Sequence, residues 1–160
     1  MPDNEGVVEW REQLLSILRD LTPASFERLC QEMLSRAGLE EVTVTGRPGD
    51  EGIDGRAIVR FAGLVSLPVV FQCKRYRSQA TAPMIREFRG AMMGRADRGL
   101  FMTTGGFTGR ARQEARRDGA PLLDLIDGVL LAEKLRELSI GVTTNQDGVI
   151  EVNPGWFANI

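Results

Sequence analysis

The sequence predicts an α/β fold in which a mixed central β-sheet is flanked by helices. Apolar residues recur at helical spacing near the N-terminus, glycine-bounded β-branched runs follow, and the second half alternates strands with helices. Such alternation places helices on the faces of a sheet. Helices are predicted over residues 8–20, 23–37, 82–95, 108–117 and 129–138. Strands are predicted over residues 42–45, 53–61, 68–76, 99–104 and 122–126.

The second predicted helix has the clearest signals at both ends. Thr22 can cap it, Pro23 suits its first turn, and Gly38 ends it. Between these residues one apolar stripe runs along the helix, which predicts a face packed on the sheet. The stripe consists of Phe26, Leu29, Cys30, Met33, Leu34 and Ala37.

The chain length fits one domain, which we divide into three parts. Residues 1–21 form an N-terminal helix, residues 22–140 form the core, and residues 141–160 form an extension with a hairpin around 145–148. Glycine and proline make residues 46–52 a turn-rich connector between the first two strands.

Composition excludes several kinds of catalytic site. The chain has no histidine, so Ser-His-Asp and Cys-His catalysis, histidine-ligated zinc sites and histidine general bases are ruled out. Two cysteines, Cys30 and Cys73, are too few for a disulfide framework and are predicted to be buried thiols. Of the 20 basic residues, only Lys74 and Lys134 are lysines. Any chemistry must therefore use carboxylates, lysine, arginine or a metal ion.

The charge is unevenly distributed. Residues 71–117 contain eleven basic and three acidic residues, a net charge of +8, so the rest of the chain carries −10. A basic segment in an acidic chain is typical of a protein that binds a polyanion such as DNA. A solvated surface of arginine-rich helices is the alternative.

The sequence contains no apolar run long enough to cross a membrane and no signal-peptide pattern at its N-terminus. We therefore predict a cytoplasmic protein without a membrane partner.

Polar residues that can support metal-dependent chemistry lie on two neighbouring predicted strands. Gln72 and Lys74 are two residues apart and share a strand face, and a hairpin would place Asp54 beside them. Asp54 and the Gln72 carbonyl oxygen suit Mg²⁺, which prefers oxygen ligands, and Lys74 can orient or deprotonate water or stabilise phosphate charge. Glu27, at the edge of the apolar stripe, can lean over the sheet.

Several segments in the same order resemble the catalytic domain of Mrr-type restriction endonucleases, within the PD-(D/E)XK nuclease superfamily. The resemblance covers residues 10–132. Its segments are Phe26-Glu27 and residues 49–55, 71–76, 88–91, 99–104, 107–108 and 125–128.

The resemblance implies a restriction-endonuclease-like fold and a metal-dependent DNA endonuclease. Asp54 and Gln72 would bind Mg²⁺, with Mn²⁺ as a possible substitute, Lys74 would be the catalytic lysine and Glu27 the acid carried by the helix. Glu51 departs from the family, which commonly has glycine there, and we expect it to face solvent. Members commonly carry a separate N-terminal DNA-recognition domain, for which this sequence leaves few residues, so we expect the catalytic module alone.

Five arginines and one threonine, near the predicted catalytic strand and at a strand-to-helix turn, are the candidates for binding DNA phosphates. They are Arg75, Arg77, Arg89, Thr104, Arg110 and Arg112. Since one active site cuts one strand, we expect a homodimer or a pair assembled on double-stranded DNA. The alternatives are a module that binds DNA or a protein without cutting, and a nuclease similar to Holliday-junction resolvases.

Overall fold

A computed structural model describes residues 4–45 and 52–160. The helices are α1 (Asn4–Asp20), α2 (Pro23–Arg36), α3 (Ala82–Met92), α4 (Gly109–Ala115), α5 (Gly128–Glu137) and α6 (Pro154–Ala158). The strands are β1 (Glu40–Val44), β2 (Gly55–Phe61), β3 (Val65–Lys74), β4 (Gln79–Ala80), β5 (Arg98–Thr103), β6 (Gly106–Phe107), β7 (Leu123–Ile126), β8 (Val142–Thr144) and β9 (Ile150–Val152).

The central sheet has five strands in the order β1-β2-β3-β5-β7. β1, β2 and β3 pair antiparallel, whereas β3, β5 and β7 pair parallel. The predicted α/β fold with a mixed central sheet flanked by helices is therefore confirmed. β3 lies in the middle and is hydrogen-bonded on both sides.

Each face of the sheet carries its own hydrophobic core. Phe71 packs on one side with residues of α1, α2 and α5, among them Leu14 and Phe26. Val70 and Phe101 pack on the other side beneath α3 and α4. Neighbouring residues of β3 thus serve opposite cores, as expected of a strand covered on both faces.

The N-terminal helix and the C-terminal segment belong to the first core. Val142 of β8 and Phe157 of α6 are fully buried in the cluster that contains Leu14. β8 and β9 form the predicted hairpin around residues 145–148. The division at residues 21 and 140 remains a prediction, and the connector over residues 46–52 falls, except for Gly52, outside the described residues.

Several predicted boundaries differ from those of the structure by one to four residues. β3 begins at Val65 rather than at Pro68, because Pro68 lies inside the strand opposite Ile58. α3 ends at Met92 rather than at residue 95, because Met93 leaves the helical conformation and Gly94 has a φ of +78°. The short strands β4 and β6 were not predicted.

None of the helices in the described part of the chain combines the length and the apolar character needed to cross a membrane.

Candidate active site

The C-terminal end of β3 places Gln72 and Lys74. Gln72 pairs with Phe101 and Lys74 with Thr103 in the parallel ladder to β5, and Gln72 is only 7% exposed. Phe71 and Cys73 lie against the first core, the latter beside Cys30. Gln72 and Lys74 instead line one pocket on the other side, as the strand alternation predicts.

Asp54 directly precedes β2. Its backbone N–H donates to the Phe71 carbonyl at 2.9 Å, which holds Asp54 against the end of β3 that carries Gln72. Its Oδ2 accepts a 2.7 Å hydrogen bond from the Cys73 N–H. Glycine is required at position 55, because a Cβ there would lie 2.1 Å from Phe71 Cζ.

Helix α2 brings Glu27 to Asp54. Thr22 caps the helix by accepting a hydrogen bond from the Ser25 N–H, and the buried Phe26 and Leu29 fix its inner face. The half-buried Glu27 carboxyl faces the Asp54 carboxyl closely enough for each group to shift the pKa of the other. Two acids from distant parts of the sequence therefore meet at one end of the sheet.

The pKa values of both acids are raised. Burial is the main cause for Glu27, followed by repulsion from Asp54. Burial also raises the pKa of Asp54, although the Cys73 N–H and the charge of Lys74 oppose the shift. Among the described residues no lysine or arginine nitrogen lies within 4.0 Å of either carboxyl. The pair therefore holds negative charge that no described basic side chain neutralises directly.

A pocket of about 260 Å³ lies between β3 and α3. Its lining residues are Gly52, Gln72, Lys74, Met84, Glu87 and Phe88. Lys74 Nζ lies 5.8 Å from the centre of the Tyr76 ring. The sequence analysis missed Glu87, although its position three residues after Met84 on an amphipathic helix was a usable signal.

The described residues contain no cluster of three or more cysteine, aspartate and glutamate side chains suited to a metal ion. The oxygen donors at this end of the sheet are instead two carboxyls, Glu27 and Asp54, and the amide of Gln72. Such a mixed set of hard oxygen donors suits Mg²⁺ or Mn²⁺, which retain several water ligands.

A family model described as restriction endonuclease, that of the Mrr catalytic domain, matches residues 18–135. The chain belongs to this Mrr family of restriction endonucleases.

Other comparisons agree with the family. The chain is 31% identical over 151 residues to the type IV methyl-directed restriction enzyme EcoKMrr of Escherichia coli K12. The match covers 91% of the chain and 48% of that protein, so the chain spans about half the length of its curated relative.

Two solved structures resemble the chain. The DNA modification-dependent restriction endonuclease AspBHI shares the fold with a TM-score of 0.70 and 16% identity, over 99% of this chain and 39% of that one. The MspJI restriction endonuclease, solved in complex with a 27-mer oligonucleotide, matches with a TM-score of 0.57 and 25% sequence identity. This match covers 78% of this chain and 30% of that one.

Three predicted phosphate-binding residues of the Mrr domain have internal partners instead. Arg89 is 5% exposed and bonds Glu114 and the Pro121 carbonyl. Arg75 Nη1 donates to the carbonyls of Arg19 and Leu21 at 3.1 and 2.5 Å, which ties the end of α1 to β3. These guanidinium groups hold elements of the fold together, and a role of Arg75 and Arg89 in binding phosphate remains a prediction.

Thr104 is the third. It is 1% exposed, its N–H donates to the Lys74 carbonyl and its hydroxyl donates to the Tyr76 carbonyl. Thr104 thus fixes the backbone at the C-terminal end of β3. The N-terminus of α4 is also occupied, because Thr108 Oγ1 accepts from the Ala111 N–H.

The other three remain exposed. Arg77 and Arg110 have no acidic partner among the residues that the structure describes. Arg112 lies 3.1 Å from Asp127 and over the Phe107 ring. Of the six predicted residues of this Mrr domain, these three keep guanidinium groups that face solvent.

Proposed function

We propose that this Mrr domain is the DNA-cleaving module of a restriction endonuclease and hydrolyses phosphodiester bonds of double-stranded DNA with a divalent cation. The observation that carries the proposal is the unneutralised Glu27–Asp54 pair beside Gln72 and Lys74. This combination of acids, amide and one of only two lysines in the chain lies at the end of a strand fixed on both sides.

Asp54 and Gln72 would hold the cation, with Glu27 as the second acid. Their chemistry fits, because two half-buried carboxyls with raised pKa values are stabilised in their charged forms when a cation binds to them. Mg²⁺, for which Mn²⁺ can substitute, would supply electrostatic stabilisation of phosphate charge and acidify water.

The chain's own groups have separate tasks. The Cys73 N–H holds Asp54 in place through the 2.7 Å hydrogen bond. Lys74 offers a compact positive charge to a non-bridging phosphate oxygen, where charge builds up as the phosphorus is attacked. Hydrolysis forms a bond between a water oxygen and phosphorus and breaks one ester P–O bond. The water loses a proton, and the leaving oxygen gains one.

The arginines that face solvent would hold the DNA backbone. Arg77 follows the catalytic strand directly, and Arg110 and Arg112 lie on α4. Phosphate contacts of this kind position a duplex without reading its sequence. We propose no base-reading role for them.

Two copies would cooperate on a duplex, since one site cuts one strand. The proposal therefore includes a homodimer or a pair assembled on DNA. A cytoplasmic location, where such a module meets DNA, belongs to the same proposal.

The test is cleavage of supercoiled plasmid at low salt with Mg²⁺ or Mn²⁺. Wild type should nick the plasmid and chelation should stop it, whereas Asp54→Asn should lose roughly 100-fold or more in rate. Asp147→Asn, in the exposed β8–β9 turn, is the matched control and should cleave like wild type.

A wild type that binds the plasmid but does not cut it would contradict the proposal. Salt-dependent binding that ignores both Mg²⁺ and Lys74 would point to the non-cleaving DNA-binding module. Strong preference for branched over linear DNA would point to a junction-resolving nuclease.

A further inference from the structure

Glu87 is an acid in the pocket that the proposed chemistry does not yet use. It lies on α3, and with Met84 and Phe88 it forms one wall of the pocket that also contains Gln72 and Lys74. The spacing of three and four residues puts these side chains on one side of the helix.

The helix that carries Glu87 is firmly seated. Ile85, Phe88 and Met92 are almost completely buried in the second core. The Phe88 ring meets the Phe101 ring edge-to-face at 5.8 Å, and Phe101 is the residue paired with Gln72. The position of Glu87 relative to Gln72 is therefore set by core packing.

The neighbouring basic residues on α3 pair with an acid of α4 and not with Glu87. Arg86 and Arg89 both pair with Glu114, at 3.5 and 2.7 Å. Glu87 forms no ion pair with any described basic residue, Lys74 included. An acidic side chain in the most basic segment of the chain repels the phosphates of DNA. Unless Glu87 has another role, it therefore only weakens DNA binding.

Lys74 and Glu87 line the same pocket without direct contact. A volume of about 260 Å³ holds several water molecules, which occupy roughly 30 Å³ each. A carboxylate accepts hydrogen bonds from such water, whereas the lysine ammonium donates to phosphate oxygens. The pocket thus offers separate contacts to the two reactants of a hydrolysis.

We propose that Glu87 is a further catalytic residue, whose carboxylate accepts a hydrogen bond from the attacking water and takes up its proton. This rests on the proposed function. As the water oxygen bonds to phosphorus, its proton moves to Glu87 and one ester P–O bond breaks. The leaving oxygen takes a proton from solvent, and Glu87 later returns its own to solvent.

The test separates cleavage from binding. Single-turnover cleavage with excess protein gives the rate, and fluorescence anisotropy of a labelled duplex gives the affinity. Glu87→Gln should cut roughly 100-fold more slowly, the loss expected for a general base. Its affinity for DNA should be equal or higher, since a negative charge is gone. Glu87→Asp should recover part of the rate.

Controls make the outcomes distinct. Glu151→Gln, an exposed change of the same charge on β9, should match wild type in both assays. Equal melting temperatures of Glu87→Gln and wild type show that the fold is kept. If Glu87→Gln binds more tightly and cuts as fast as wild type or faster, Glu87 only repels DNA and the inference is wrong. A wild type that binds without cutting overturns the proposed function, and this inference with it.

Discussion

The carboxyls of Asp54 and Glu27 face each other in a half-buried position. Two negative charges are unfavourable there unless a cation binds to them. Such a pair lowers the stability of the metal-free protein, because burial and mutual repulsion disfavour the charged forms. An arrangement that reduces stability is expected where the uncompensated charge serves binding or catalysis.

We therefore expect Asp54→Asn to raise the melting temperature of the metal-free protein at neutral pH while it abolishes cleavage. Asparagine keeps an oxygen for the Cys73 N–H and removes the repulsion. Because the folded-state pKa values are raised, wild type gains stability as pH falls through them. The advantage of the variant should shrink in mildly acidic buffer. Thermal melts in EDTA at both pH values measure this, and a destabilised variant at neutral pH would contradict it.

Some of the candidate arginines bond to other parts of the fold, whereas others are exposed and are proposed to bind DNA, and salt dependence tests the second group. Arg77→Ala and Arg110→Ala should each weaken DNA binding and reduce the slope of log affinity against log salt by about one. Neither should change stability by more than about 0.5 kcal/mol, since both are exposed. Anisotropy titrations at several salt concentrations provide the slopes. Unchanged slopes in both variants would remove these residues from the DNA interface.

At the scale of elements, the ion pair between Arg89 and Glu114 joins α3 to α4, in addition to the second core that both helices share. The Arg89 guanidinium bonds the Glu114 carboxylate and carbonyl and the Pro121 carbonyl, at 6% side-chain exposure. Because α3 also carries a wall of the catalytic pocket, this contact supports the site from a distance.

Arg89→Ala should cost about 2 kcal/mol or more, roughly 5 °C in melting temperature, because several buried hydrogen bonds are lost. Arg86→Ala is the matched control. It removes a 3.5 Å contact to the same Glu114 from a side chain that is 52% exposed, and should cost less than about 1 kcal/mol. Thermal melts compare the two, and equal losses would show that burial of Arg89 is not decisive.

The sequence predicted most elements because their periodicity is strong. The stripe from Phe26 to Leu34 and the alternation around Phe71 identified the faces that are buried, and the shared face of Gln72 and Lys74 followed. Predictions were weaker where a single residue determines the boundary of an element. Pro68 was taken as a strand start, although an antiparallel strand tolerates it opposite Ile58.

The phosphate-binding candidates show a different limit. Charge counting cannot tell which arginines bond to other parts of the fold, as Arg75 and Arg89 do. Their partners, backbone carbonyls of α1 and of residue 121, are brought close only by the tertiary fold. The meeting of Glu27 and Asp54 could be predicted through the family resemblance, but the raised pKa values of the two acids could not.

At the scale of the whole molecule, the basic segment 71–117 includes the C-terminal end of β3 together with α3 and α4. In the proposed function this segment attracts the phosphates of DNA, whereas the acids Glu27 and Asp54 hold a cation, and these two tasks need charges of opposite sign. The fold resolves this by supplying the acids from α2 and from the residue before β2, outside the segment.

If two copies of the protein act together, the order in which nicked and linear plasmid form should show it. At low protein concentration nicked plasmid should accumulate, and at higher concentration linear plasmid should form with steeper than first-order dependence as two copies meet. Sedimentation of the protein with a short duplex measures the assembly. A monomer on DNA that still produces linear plasmid in one binding event would contradict the expectation.

The central claim is that this Mrr domain cleaves DNA through the site at the end of β3, and Lys74 tests it most directly. The measurement is metal-dependent nicking of supercoiled plasmid by wild type, Lys74→Ala and Lys134→Ala, which alters the only other lysine. We predict that Lys74→Ala loses roughly 100-fold or more while Lys134→Ala keeps the wild-type rate. Cleavage by Lys74→Ala at the wild-type rate would contradict the account.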